Sequence, residues 1–210
     1  MTPFATRGLY AITDGPRDDL LDVVTQALAG GARLLQYRDK TTDHARRHAE
    51  AGALQQLCRS CGAALIVNDD VALAQAIHAD GVHLGREDGE LAAARAALGS
   101  QAIIGVSCYD SIDRARAAVA AGADYIAFGA FFPSPTKPHA PRATPELLRQ
   151  SATFGVPRVA IGGITPDNAP SLVGAGADFL AVISAVFRAP DVRAAAQRFA
   201  HFYPSDRDPR

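Results

Sequence analysis

Apolar residues come along this chain in short unbroken runs, and each run closes on a cluster of polar or charged residues. The runs "GLYAIT", "RLLQY", "ALIV", "GVHL", "AIIGV", "YIAFG", "RVAIG" and "FLAVI" number eight. They alternate too little for half-exposed antiparallel strands and suit a parallel sheet covered by helices. Alanine-rich stretches separate them. "GGARLLQY" (30–37), "HADGVHLG" (78–85), "AAGADYIAFG" (120–129) and "GAGADFLAVI" (174–183) each read as a helix end, a glycine stop and then a strand, which is a repeating βα unit. Dividing 210 residues among eight units leaves about 26 for each, enough for a compact α/β fold, a single (β/α)8 TIM barrel. The expected domain spans residues 1–204, with the polar stretch 205–210 as a frayed tail. A doubly wound open sheet is the alternative, but the first strand runs into "TDGPRDD" without the glycine-rich dinucleotide fingerprint.

Composition narrows the chemistry. With 48% hydrophobic and 20% charged residues, the chain can bury one sizeable core. The formal net charge is −1, from 21 Lys and Arg against 22 Asp and Glu. Neither nucleic acid nor a membrane surface is therefore an expected partner, and any anion must be held locally. No apolar run approaches the roughly 20 residues of a membrane span, and "MTPFATRGLYAITDG" does not read as a signal peptide. The cytoplasm is the expected location, small phosphorylated molecules the expected partners, and the oligomeric state stays open. Cys58, Cys61 and Cys108 are too few for a disulfide framework. Cys58 and Cys61 fall at a helix end before Gly62, so they read as structural thiols rather than a redox or zinc motif.

In a barrel of this kind the chemistry sits at the C-terminal ends of the strands. Those ends carry Gln36, Arg38 and Lys40; Asn68, Asp69 and Asp70; Glu87 and Asp88; Ser107; Ser134, Thr136 and Lys137; Gly162 and Gly163; and Ser184. Taken singly, Asp70 or Asp88 would be an ordinary helix cap. Converging on one rim, cations and carboxylates need desolvation or partners, and a charged substrate supplies those partners. Carboxylate oxygens from Asp69 and Asp88 suit Mg2+, which binds a few protein oxygens and completes its shell with water and phosphate. Arg38, Lys40 and Lys137 can hold the remainder of a diphosphate. Across the rim, "IGGIT" and "VISA" offer glycine amides and Ser184 beside a short helix, where barrels of this type bind phosphate.

The ordered set "QYRDK" (36–40), "NDD" (68–70), "GVHLGRED" (81–88), "GVS" (105–107), "FFPSPTK" (131–137), "IGGI" (161–164) and "VIS" (182–184) resembles the thiamine-phosphate synthase family across almost the whole chain. The resemblance implies a (β/α)8 barrel. It also implies an enzyme joining 4-amino-2-methyl-5-hydroxymethylpyrimidine diphosphate to 4-methyl-5-hydroxyethylthiazole phosphate with release of diphosphate. It further implies a pyrimidine-diphosphate site of Gln36, Tyr37, Arg38, Asp39, Lys40, Asn68, Ser107 and Lys137, among which Arg38, Lys40, Ser107 and Lys137 are catalytic. Magnesium is implied on Asp69 and Asp88, and thiazole phosphate at Ser134, Pro135, Thr136, Gly163, Ile183 and Ser184.

One place departs from the family's usual P-T-x-T-K: here Ser134 stands for a threonine and Pro135 fills the variable position. The hydroxyl is kept. His139, in a proline-rich loop, reads as solvated, and His83 as a packing residue that can also hydrogen-bond near the carboxylates. A thiazole tautomerase, as in relatives that lack the diphosphate apparatus, and a non-catalytic phosphate-binding barrel remain as alternatives. Retention of Arg38, Lys40, Asp69, Asp88 and Lys137 favours the synthase.

Overall fold

A computed structural model describes residues 7–85, 91–133 and 142–203. The eight apolar runs are strands: β1 (Gly8–Ile12), β2 (Ala32–Tyr37), β3 (Ala64–Asn68), β4 (Gly81–Leu84), β5 (Ile103–Tyr109), β6 (Tyr125–Phe128), β7 (Arg158–Ile161) and β8 (Phe179–Val182). Each pairs in parallel with the next, and β8 closes on β1. The open-sheet alternative is therefore excluded. Between them run α1 (Leu20–Ala29), α2 (His44–Cys61), α3 (Val71–Ala76), α4 (Leu91–Leu98), α5 (Ile112–Ala120), α6 (Pro145–Gln150) and α7 (Ala169–Gly174); α8 (Ser184–Phe187) and α9 (Val192–Ala200) follow β8. Among the described residues no helix is long and apolar enough to cross a membrane.

Strand alternation divides the apolar residues between two cores. One row of each strand faces the barrel interior, where Tyr10, Ile12, Leu34, Ile66, Tyr125 and Phe179 pack together. The other row, including Leu9, Leu35, Leu65, Ile104 and Leu180, packs against the helices. This double burial is why the strands read as continuous apolar runs. Gln36, Asn68, His83 and Ser107 extend the inward rows by one step, which places polar side chains at the top of the interior.

A repeated aspartate fastens the opposite end. Asp80, Asp124 and Asp178 each precede an even-numbered strand and reach back to the start of the strand before it. Their carboxylates accept from the N–H of Leu65 at 2.8 Å, Ile104 at 2.7 Å and Arg158 at 2.9 Å. Each aspartate N–H also donates to the carbonyl of that same residue. At β2 the corresponding position, just before the inward Leu34, is Arg33, the second residue of the strand.

Short polar side chains cap α2, α3, α5 and α9: Asp43, Asp70, Ser111 and Asp191 accept from the N–H groups of Arg46, Leu73, Arg114 and Ala194. The α2 helix ends on Gly62, whose φ of 69° is one that a side chain disfavours. Cys58 is buried on that last turn while Cys61 is exposed, and burial pushes the Cys58 thiol up to about 12. Such a thiol keeps its proton and packs as an apolar residue.

Candidate active site

The inward rows end in a cavity of about 590 Å³ at the C-terminal face of the barrel, lined among others by Gln36, Arg38, Lys40, Asn68, Asp69, Ser107, Gly163, Ile183 and Ser184. These residues come from β2, β3, β5, β7 and β8 or the segments just after them. The expected pyrimidine-diphosphate and thiazole-phosphate residues that the structure describes thus meet in one space, Tyr37 and Asp39 excepted. Asp88, Ser134, Pro135, Thr136, Lys137 and His139 lie outside the described residues.

Tyr37 and Asp39 turn away from that space, so their side chains do not line it as the site residues do. Strand parity accounts for this: Gln36 faces inward, so Tyr37 faces the helices, where its hydroxyl donates to Glu50 at 2.7 Å. Burial, with the Glu50 carboxylate next, pushes the Tyr37 phenol well above its ordinary value. Asp39 is buried beside Arg46, whose guanidinium contacts it at 2.6 Å, and it accepts from the Thr41 N–H at 2.8 Å. Burial opposes its charge, yet Thr41 and Arg46 hold the Asp39 carboxyl below the usual carboxylate range. Both side chains brace the turn that presents Arg38 and Lys40.

Thr13, which the sequence reading did not single out, braces the same turn from the other side. Its buried hydroxyl donates to the Arg38 carbonyl at 3.1 Å and accepts from the Arg38 N–H at 2.8 Å. The Arg38 peptide is thereby fixed while its guanidinium lies along the cavity.

Asp69 occupies a left-handed backbone conformation at φ 64°, which Asp and Asn tolerate better than most residues. Its N–H donates to the His83 carbonyl at 2.9 Å, pinning the β3 exit to β4. The Oδ2 atom meets Lys40 Nζ at 3.2 Å and accepts from the Asn68 amide at 2.5 Å. Asp70, by contrast, is a cap: it receives the Leu73 N–H and pairs with Arg47. A partly exposed carboxylate at the cavity mouth, next to a cation, is a hard-oxygen donor of the sort that Mg2+ takes. Among the described residues no group of three or more His, Cys, Asp and Glu could hold a metal ion. Asp69 is the single member of the expected carboxylate pair that is described.

The far wall is backbone. Gly163, with φ 62°, lies so close to the next loop that a Cβ would come within 2.5 Å of the Pro133 carbonyl oxygen. Phe131 and Phe132 donate their N–H groups to Ile161 and Gly162, which carries the β6–β7 pairing into the loop that starts "FFP". From α5, Arg114 donates to the Ser107 carbonyl at 2.7 Å and to the Gly85 carbonyl at 3.1 Å, joining the ends of β4 and β5.

Two thiamine-phosphate synthases are similar over nearly the full length. That of Xanthomonas campestris pv. campestris is 58% identical over 194 residues, covering 92% of this chain and 94% of the relative. That of Chromobacterium violaceum is 56% identical over 203 residues, covering 96% and 98%. The thiamine monophosphate synthase family pattern matches residues 9–186. The chain belongs to the thiamine-phosphate synthase family. It is an enzyme of the transferase class, as that membership entails. A solved thiamine phosphate pyrophosphorylase from Pyrococcus furiosus has the same fold, with a TM-score of 0.83 at 37% identity, covering 93% of this chain and 94% of that one. The matched span runs from β1 to α8, so every strand that contributes to the cavity falls within the synthase pattern.

Proposed function

We propose that the cavity joins 4-amino-2-methyl-5-hydroxymethylpyrimidine diphosphate to 4-methyl-5-hydroxyethylthiazole phosphate, giving thiamine phosphate and diphosphate. The observation that carries this reading is the division of the cavity into a cationic side, with Arg38 and Lys40 beside Asp69, and a backbone side of Gly163 with Ser184. Such a division suits a diphosphate at one side and a monophosphate at the other.

The bond to be broken joins the pyrimidine's exocyclic CH2 to the diphosphate oxygen. Its electron pair leaves with the diphosphate, and the electron-rich aminopyrimidine spreads the positive charge that remains on the carbon. The thiazole nitrogen then donates its lone pair to that carbon. A C–N bond forms, the ring becomes a thiazolium, and no proton has to be removed. The demand on the protein is to hold the two substrates in line and stabilise charge on the leaving group.

Arg38 and Lys40 serve that demand, because their attraction for the diphosphate grows as the C–O bond lengthens. Lys137 is the third cation expected there. Ser107 and Gln36 hold the pyrimidine ring, and Gly163, Ile183 and Ser184 seat the thiazole phosphate. Asp69 and Asp88 would hold magnesium, which, when bound, supplies further neutralisation of the leaving diphosphate.

Incubating the purified protein with both substrates and Mg2+ tests the reading. Diphosphate and thiamine phosphate should appear in equal amounts, and omission of either substrate should abolish both. Isomerisation of a thiazole phosphate alone, or the absence of any diphosphate release, would overturn it.

A further inference from the structure

A chain of hydrogen bonds crosses the floor of the cavity and ends on two of the side chains assigned to the pyrimidine. Gln36 Nε2 donates to the Tyr10 hydroxyl at 2.8 Å. The Tyr10 and Tyr125 hydroxyls lie 2.9 Å apart. The Tyr125 hydroxyl is 2.8 Å from His83 Nδ1, and His83 Nε2 is 2.8 Å from Ser107 Oγ. Five residues from five strands are thus linked end to end. The chain has been given room: Gly105 faces the Tyr125 ring, which stands where a Cβ would project. The same ring stacks on His83 with centroids 5.5 Å apart. Burial pushes both phenols upward, so Tyr10 and Tyr125 keep their protons.

Proton counting gives this arrangement its meaning. A phenol carries one proton, and an imidazole in its neutral form carries one N–H. With Gln36 donating, Tyr10 passes its proton to Tyr125, Tyr125 to His83 Nδ1, and His83 Nε2–H to Ser107. Ser107 is then left to donate into the cavity, while Gln36 offers its carbonyl oxygen there. Reversal of every bond makes Ser107 the acceptor and turns the Gln36 amide so that its NH2 faces the cavity. In both directions the two ends are opposite in sense, one donor and one acceptor.

We infer that Tyr10, Tyr125 and His83 form a buried relay that couples Gln36 to Ser107, so that the cavity selects a ring offering one donor and one acceptor. This rests on the synthase reading above. A 4-aminopyrimidine meets the condition, with its amino N–H and a ring nitrogen. A 4-methoxy analogue offers acceptors alone and needs two donors, which the relay cannot supply together. Tyr10, Tyr125 and His83 are positioning residues, acting through Gln36 and Ser107.

Tyr125→Phe cuts the relay at its centre while keeping the ring. Turnover of the 4-amino substrate and inhibition by its 4-methoxy analogue are compared in wild type and variant. The expected result is a loss of about tenfold in kcat/KM for the amino substrate, in the range of one or two neutral hydrogen bonds. Affinity for the methoxy analogue should hold or rise, since Gln36 and Ser107 now turn independently. Equal weakening of both ligands, or of neither, would overturn the relay. A second measurement needs no substrate: 15N NMR of the His83 ring in wild type and in Tyr10→Phe, a substitution one residue removed from His83 along the chain. A single His83 tautomer in wild type that becomes mixed in the variant is expected. Unchanged tautomer populations, or a ring protonated on both nitrogens in wild type, would overturn the relay. If wild type turned over no pyrimidine diphosphate, the synthase reading would fall, and the NMR comparison would still decide whether the relay exists.

Discussion

Lys40 and Asp69 form an ion pair across the exits of β2 and β3, with Nζ 3.2 Å from Oδ2. The lysine side chain is 62% exposed and the aspartate 28%, so the pair adds little to stability. On the proposed function, its meaning lies in what it would keep ready at the cavity mouth: a carboxylate for a cation and a cation for a phosphate.

Asp69→Asn separates those roles from the fold. Asparagine tolerates the same left-handed backbone that alanine would strain, so thermal stability should change by less than about 1 kcal/mol. Turnover should fall at least about tenfold, and the Mg2+ concentration needed for half-maximal rate should rise. A titration of activity against Mg2+ in both proteins decides it, and unchanged metal dependence would make Asp69 a purely structural residue.

The two sides proposed to hold phosphate should separate in kinetics. Arg38→Ala should lower kcat/KM for the pyrimidine diphosphate by about tenfold to a hundredfold, the worth of a hydrogen bond between charged groups. Ser184→Ala should chiefly raise KM for thiazole phosphate. Equal damage to both KM values by Ser184→Ala would contradict the division.

Thr13 acts on Arg38 through its backbone alone. Thr13→Val leaves the Arg38 N–H and carbonyl without their buried partner, at a cost of about 1 to 3 kcal/mol, which lowers Tm by roughly 2 to 4 °C for each kcal/mol in a chain of this size. The loss in kcat/KM should resemble that of Arg38→Ala but be smaller, and Thr13→Ser should restore it. A valine variant with wild-type Tm and kinetics would show that the turn is held without Thr13.

Asp124 lies at the barrel end opposite the cavity and bonds Ile104 N–H and Arg95. Asp124→Ala should lower Tm by several degrees, roughly 2 to 4 °C for each kcal/mol lost, and leave both KM values unchanged. Thermal unfolding and steady-state kinetics check it, and a change in either KM would mean that the latch also shapes the site.

The sequence was most legible where burial dictates composition. All eight strands stood out because each is covered on both sides, and the polar residues that end them converge once the barrel closes. Period-two alternation could also have separated Gln36 from Tyr37 and Asp39, since inward Leu34 sets the parity of Gln36. Tyr10 and Tyr125 were hidden by their company, as inward tyrosines among apolar residues look like ordinary core. Their polar role depends on partners 26 and 115 residues away. Thr13 was hidden for the same reason, because a hydroxyl that bonds a backbone 25 residues on leaves no local pattern.

The central claim is that the cavity ionises a pyrimidine diphosphate for the thiazole nitrogen to capture. Its most direct test is positional isotope exchange, with 18O in the oxygen that bridges the pyrimidine CH2 and the diphosphate, Mg2+ present and thiazole phosphate withheld. Ionisation and return within the cavity should move the label from the bridge into non-bridging positions of the recovered substrate, and Arg38→Ala should slow that movement. Label that stays in the bridge, in a protein that turns over normally once thiazole phosphate is added, would contradict a dissociative step and require direct displacement instead.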